Sequence, residues 1–322
     1  MRPIWRTLAC ALGAGGLVLG ALTAGQGVAS ASVSQLGVQV CSGTAASPGQ
    51  LVGTYDNLEI IGQCNLQNGP VTVYGNLEVA PNAALNAVFG LDNSHLTVDG
   101  NLIVQKNASV MIGCDTVFVT LWGTDSTFLT PEFPCIDDPN QGAPTLSSHE
   151  VIRGNLIATD TLGVVLHNTA VDGSVYENGG GGGNNCVNQG IFNEDIGFPQ
   201  YSGYFDGTIG GSITVTNLTT CWYGIFREHV GGSMTNDNIV NNDPDGNEDQ
   251  SNVIQGTLTC LNNSPAVQWG DGNGVPNEVG GAAIGECGFN VLVPNPAPEA
   301  GVEGVTPVLV HVSVPLHRGL LP

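Results

Sequence analysis

Apolar and polar residues alternate in short bursts along this chain, and the bursts recur. Val73, Leu77 and Val79 fall on one face of an extended segment, while Tyr74, Asn76 and Glu78 fall on the other. A short pattern of apolar, any, Gly, Asn/Ser/Thr, apolar returns throughout. It reads Val73-Tyr74-Gly75-Asn76-Leu77, then Val98-Asp99-Gly100-Asn101-Leu102, then Ile152-Arg153-Gly154-Asn155-Leu156. Further copies centre on Gly173, Gly211, Gly232 and Gly256, with a degenerate one at Gly281. The intervals between the central glycines are 25, 54, 19, 38, 21, 24 and 25. Most match one coil of three short strands, 38 is twice 19, and 54 spans an insertion.

This spacing predicts an all-β chain folded as a single right-handed parallel β-helix (β-solenoid) with surface loops. Each coil would stack its apolar face on the next, because one coil cannot close a core alone. Glycine at the corner is expected to supply φ > 0, which β-branched residues resist. Asn76 and Asn101 should stack on adjacent coils and hydrogen-bond along the axis as a ladder. The expected organisation is an N-terminal cap over 32–56, a solenoid over 57–287, and a tail or cap over 288–322. Surface loops are expected near 114–150, which is rich in proline and aspartate, and near 178–186. The second contains five consecutive glycines, Gly179 to Gly183, and reads as a flexible loop without packing of its own. The alternating Val308 to Val314 reads as a closing strand.

Composition sharpens the class. Charged residues make up 11 %, and lysine occurs once, at Lys106, which disfavours long amphipathic helices. The first 31 residues have the order of an export signal: Arg2 and Arg6, an apolar stretch from Leu8 to Leu22, then Ala29-Ser30-Ala31 as cleavage site. The mature chain would begin at Ser32, with no membrane span after cleavage, since no later run approaches about 18 apolar residues. It would be secreted, extracellular or associated with the cell surface. The formal net charge of −22 repels nucleic acid and other polyanions. Partners of the right character are a cell-wall glycan or a surface protein.

Eight cysteines follow the signal: Cys41, Cys64, Cys114, Cys135, Cys186, Cys221, Cys260 and Cys287. An even number in an exported chain reads as disulfides, and sequence alone leaves about 105 pairings open. Coil stacking favours neighbours in order: 41–64, 114–135, 186–221 and 260–287.

One stretch carries a family resemblance. It runs through Gly256-Thr257-Leu258-Thr259-Cys260, Asn263-Ser264-Pro265-Ala266-Val267, Val279-Gly280-Gly281 and Gly285-Glu286-Cys287. It resembles the closing module of secreted, repeat-rich proteins of actinobacterial type that have no assigned activity. The Gly-Asn-Leu coils are similar to that group's body repeats. The resemblance implies a β-helix-like fold and export, and it carries over no catalytic residue.

Candidate chemistry is sparse. A β-helical galacturonan hydrolase needs clustered aspartates with Gly-His-Gly and Arg-x-Lys motifs, and neither motif occurs beside Asp137-Asp138. A lyase needs basic residues to grip an anionic substrate, and the protein's field opposes one. A glycosidase built from distant carboxylates stays open, so a secreted carbohydrate-active enzyme is the alternative to a structural or binding protein. Ser147-Ser148-His149-Glu150 and Arg227-Glu228-His229 are neighbours in sequence, which is poor support for a triad. The acidic run Asp243, Asp245 and Asp249 suits calcium, giving a calcium-dependent surface module as a third reading beside a solvated turn. No other cofactor is implied. Trp122, Trp222-Tyr223 and Trp269 could stack on sugars if exposed.

Overall fold

The structure is a computed structural model, and it describes residues 37–66, 69–88, 95–113, 150–192, 199–244, 246–269, 275–289 and 291–292. The chain winds as a parallel β-solenoid. Among the described residues a first sheet has ten strands, a second eight and a third ten, and neighbouring strands in each are one coil apart. A representative coil contributes Leu77–Val79 to the first sheet, Ala84–Val88 to the second and Leu96–Val98 to the third. The next coil contributes Leu102–Val104 and Ser109–Gly113, and pairs in parallel with the one before. A parallel sheet needs a crossover between partners, and here the other two sides of the coil provide it.

The interior is a set of columns. Leu58, Leu77, Leu102, Leu156, Val175, Ile213, Met234 and Leu258 lie in register through the first sheet, all buried. Strand length explains the pattern: a three-residue strand points its first and third side chains inward and its middle one outward. Each buried Leu, Val or Ile contributes about 1.5–3 kcal/mol against exposure.

The Gly-Asn corners line up as a ladder. The Asn57 Oδ1 accepts the Asn76 N–H at 2.9 Å, Asn76 Oδ1 accepts that of Asn101 at 2.8 Å, and Asn101 Oδ1 that of Asn155 at 2.8 Å. Asn155 then accepts from Ser174, and hydroxyls of Ser174, Ser212 and Ser233 accept from the next coil up to Thr257. The ladder starts one coil earlier than the glycine motif, because Asp56 stands at the first corner where glycine is expected.

Glycine serves these corners for a reason other than the one expected. None of the eight corner glycines has positive φ. They are required by proximity instead: a Cβ on Gly100 would lie 2.6 Å from both Asn76 Oδ1 and Gly75 O. Positive φ occurs at a second corner, at Asn82, Asn107, Asp160, Gly179, Asn217, Asn238 and Asn262. Asn and Asp tolerate that region better than other side chains. A third corner does the same with Asn168, Asp206, Arg227 and Ser251.

The structure adds detail to the expected organisation and changes part of it. The segment 32–56 does not stand apart as a cap from Val38 on, since Val38–Cys41, Gly49–Gln50 and Gly53–Tyr55 already enter the three sheets. The 38-residue interval is one coil with an insertion, not two coils: Val175 pairs directly with Ile213. The glycine run is packed, not loose. All five glycines have positive φ, the Gly181 N–H donates to Thr161 O at 2.7 Å, and the Gly183 N–H donates to Thr219 O at 3.0 Å. Only glycine sustains five such residues in succession. Beyond Cys287, Val291–Leu292 adds a last strand to the third sheet. The proposed strand 308–314 and residues 114–149 lie outside the described residues; the chain leaves the second sheet at Gly113 and re-enters the third at Glu150.

Candidate functional site

Three disulfides form as expected, Cys41–Cys64, Cys186–Cys221 and Cys260–Cys287. Cys114 and Cys135 lie outside the described residues.

The acidic run folds differently from an open turn. Asn247–Gln250 is a strand of the second sheet, paired with Trp222–Phe226. Alternation then sends Asn247 and Asp249 inward beside Tyr223 and Ile225. Asp249 is fully buried, whereas Asp243 sits half-exposed on the preceding turn, and Asp245 lies outside the described residues. The two described carboxylates thus differ in environment, one buried and one half-exposed. Asn252, just beyond this run, is buried at the corner before the third-sheet strand Val253–Ile254. Among the described residues no three His, Cys, Asp or Glu side chains converge on a metal position.

The interior carboxyls form hydrogen-bonded strings. Glu177 occupies the column of Val104, Ala158 and Val215, and accepts from Ser202 at 2.8 Å, Tyr204 OH at 2.8 Å and Thr161 at 3.1 Å. Burial pushes its carboxyl above the usual range, against the pull of those donors. Further along, Tyr223 OH donates to Asn236 Oδ1 at 2.6 Å, and Asn236 Nδ2 donates to Asp249. Burial raises Asp249 to about 8, opposed by the Asn236 donor. Both tyrosines are pushed well above the usual phenol value, first by burial and then by these neighbouring acids.

At the corner into the third sheet, Glu228 fills the space left by Gly207 and accepts its N–H at 3.2 Å. Burial and the Asp206 charge raise Glu228 to about 8, against Gly207 and Arg227. The Glu228 N–H donates to Asn252 Oδ1, and the Asn252 N–H to Asn277 Oδ1, an internal asparagine ladder. Arg227 turns outward, clasping Asp206 through Nε and through Nη2 at 2.7 Å, and His229 is exposed. The three neighbours Arg227, Glu228 and His229 therefore point to three environments and form no triad. Ser147, Ser148, His149, Asp137 and Asp138 lie outside the described residues.

The outer face of the second sheet carries an aromatic cluster that sequence reading missed as a unit. Two strands repeat aromatic-x-Gly-x-aromatic: Tyr201, Gly203, Phe205 and Trp222, Gly224, Phe226. The rings fold over the glycines; a Cβ on Gly224 would lie 2.9 Å from Trp222 Cζ2 and 3.0 Å from Phe226 Cε1. Tyr201 and Trp222 meet at 5.7 Å, Phe205 and Phe226 at 5.3 Å, and His167 stacks on Phe205 at 4.6 Å. Burial, then the Arg227 charge, lowers His167 to about 3, so its imidazole is neutral. Glu248 and Gln250 continue the face, and Trp222 Nε1 donates to Glu248 at 3.4 Å. Phe192 packs on Tyr201; Phe192, Phe205 and Trp222 are buried, and Tyr201 and Phe226 are partly so. Of the tryptophans proposed for sugar stacking, Trp222 is enclosed here, Trp269 is 38 % exposed, and Trp122 lies outside the described residues. Tyr223 is in the solenoid interior.

Comparison with known proteins found no matching family model, no matching characterised protein and no matching solved structure.

Proposed function

We propose that the chain is exported and acts at the cell surface as a structural or binding module, engaging partners with its outer faces. One observation carries this reading. The acids Glu177, Glu228 and Asp249, all held above the usual carboxylate range, are buried within the coil and hydrogen-bonded there. Perturbed carboxyls are grounds for suspecting catalysis when they line a cleft; here burial is the first cause of each shift, and all three side chains are buried. Export fits the three disulfides, because such bonds persist in oxidising compartments. Among the described residues no helix is long and apolar enough to cross a membrane. The acidic balance favours neutral or cationic partners over nucleic acid.

The test is a pair of assays on the secreted protein. Incubation with isolated cell walls should retain it, and incubation with a panel of soluble glycans should release no reducing ends. Sustained release of reducing sugar, abolished by substitution of a single acid, would replace this reading with a carbohydrate-active enzyme.

A further inference from the structure

We propose that the outer face of the first sheet binds a neutral, extended polysaccharide lying along the solenoid axis. The proposal rests on the reading of an exported binding module and names its surface and ligand class.

The face follows from register. Middle residues of successive strands point outward and form one row, in which Ile157, Tyr176, Thr214, Thr235 and Thr259 are direct neighbours. A parallel row, two residues further along each strand, holds Thr159, Asn178 and Thr216. Tyr176 is 44 % exposed and Ile157 36 %, while the three threonines of the first row are partly exposed. The same row ends at Ile284, 47 % exposed, and holds no charged residue from Ile103 to Ile284.

Two chemistries therefore run side by side. The first row offers a phenol ring, aliphatic surface and threonine methyls, which suit the apolar face of a pyranose. The second offers amide and hydroxyl groups for the sugar hydroxyls; Thr216 Oγ1 already donates to Asn178 Oδ1 at 2.9 Å. The first row repeats once per coil, a step of about 4.8 Å set by strand pairing, and the second keeps its amide and hydroxyl groups over three coils before Asp237 and Leu261 continue it. That step is comparable to the advance of one ring in an extended glycan. Charge selects among polymers. The nearby Arg153 is paired with Asp99 at 2.9 Å, and the chain's net charge is −22, so a uronate polymer would be repelled. The same charge opposes burying this face against a second copy.

The experiment is co-sedimentation of the full exported chain with microcrystalline cellulose and with chitin, with soluble polygalacturonate as the anionic comparison. Binding to at least one neutral solid is expected. Tyr176→Ala should weaken it about tenfold, the loss of one stacking contact. Thr235→Lys should weaken it comparably, and Val187→Ser, exposed elsewhere, should leave it unchanged. Both test positions are on the surface, so folding is checked by unchanged thermal unfolding. Retention on the solids that ignores both substitutions overturns the assignment to this face. Retention by a wall protein but by neither solid overturns the glycan and leaves the binding-module reading standing; retention by nothing overturns both. Self-association lost in Thr235→Lys would make the face an interface between copies and overturn the proposal.

Discussion

At the scale of single residues, two corners restrict their residues for different reasons. Gly154 is held by contact: a Cβ there would lie 2.5 Å from Gly100 O and 2.6 Å from Asn101 Oδ1. Gly154→Ala should therefore destabilise the fold by about 1–3 kcal/mol, as overpacking does. Asn217 is held by its backbone, at φ 58°. Asn217→Gly keeps the torsion and loses only the exposed side-chain bonds to Asn178 and Asn238, so it should cost less than Asn217→Val, which also strains the backbone and should cost about 1–2 kcal/mol. Urea unfolding midpoints of the three variants decide it; a neutral Gly154→Ala would show that the corner has room. The glycine positions were legible in the sequence because contact permits no substitute at most coils. Their mechanism was not, since a sequence does not say whether glycine answers a torsion or a neighbour. The asparagines six or seven residues after each corner glycine were equally periodic, at 82, 107, 217, 238 and 262. They escaped notice because Asp160 and Gly179 interrupt the series with residues that share only a tolerance of positive φ.

At the scale of strands, the alternation rule identifies the inward face but not what fills it. Leu77–Val79 and Leu102–Val104 read correctly because their inward residues are apolar. Asn247–Gln250 reads as an acidic turn because its inward residues are Asn and Asp, hydrogen-bonded to Asn236 and to Pro265 O, about half and three-quarters of a coil away. No local signal distinguishes such a strand from a solvated loop; only the register with Trp222–Phe226 does. The polar strings should then be stringent. Asn252 is buried, accepts the Glu228 N–H at 2.9 Å and donates to Ile225 O at 2.8 Å. Asn252→Leu strands both groups and should destabilise the protein by about 2–4 kcal/mol, more than a similar change on the outer face. Hydrogen exchange should show the loss concentrated in the coils from Trp222 onward, where the internal ladder runs. A uniform loss over all coils, or none, would mean that the ladder does not hold those coils together.

At the scale of the whole molecule, the enclosed acids set how stability responds to pH. Asp249 and Glu228 each rise to about 8 in the folded chain from ordinary values of 3.8 and 4.5. Glu177 shifts in the same direction. Between those ordinary values and about 8, the folded state keeps protons that the unfolded chain has released, so stability falls as pH rises through that window. His167 works the other way: held near 3 against 6.5, it penalises the folded state as pH drops below 6.5. Three carboxyls outweigh one imidazole until the carboxyls of the unfolded chain are themselves protonated. The acidic surface adds to the trend, because neutralising part of a charge of −22 relieves repulsion. The melting temperature should therefore peak near pH 4–5 and decline toward pH 8, by a free energy on the order of a few kcal/mol. Asp249→Asn provides the internal control. Its amide oxygen can still accept from Asn236, but it cannot ionise, so the variant should melt higher than the parent at pH 8 and show a shallower pH slope. A parent protein more stable at pH 8 than at pH 5 would mean that the three acids are ionised inside the coil. The solenoid interior would then have to hold charge, which only a bound cation or penetrating water could compensate.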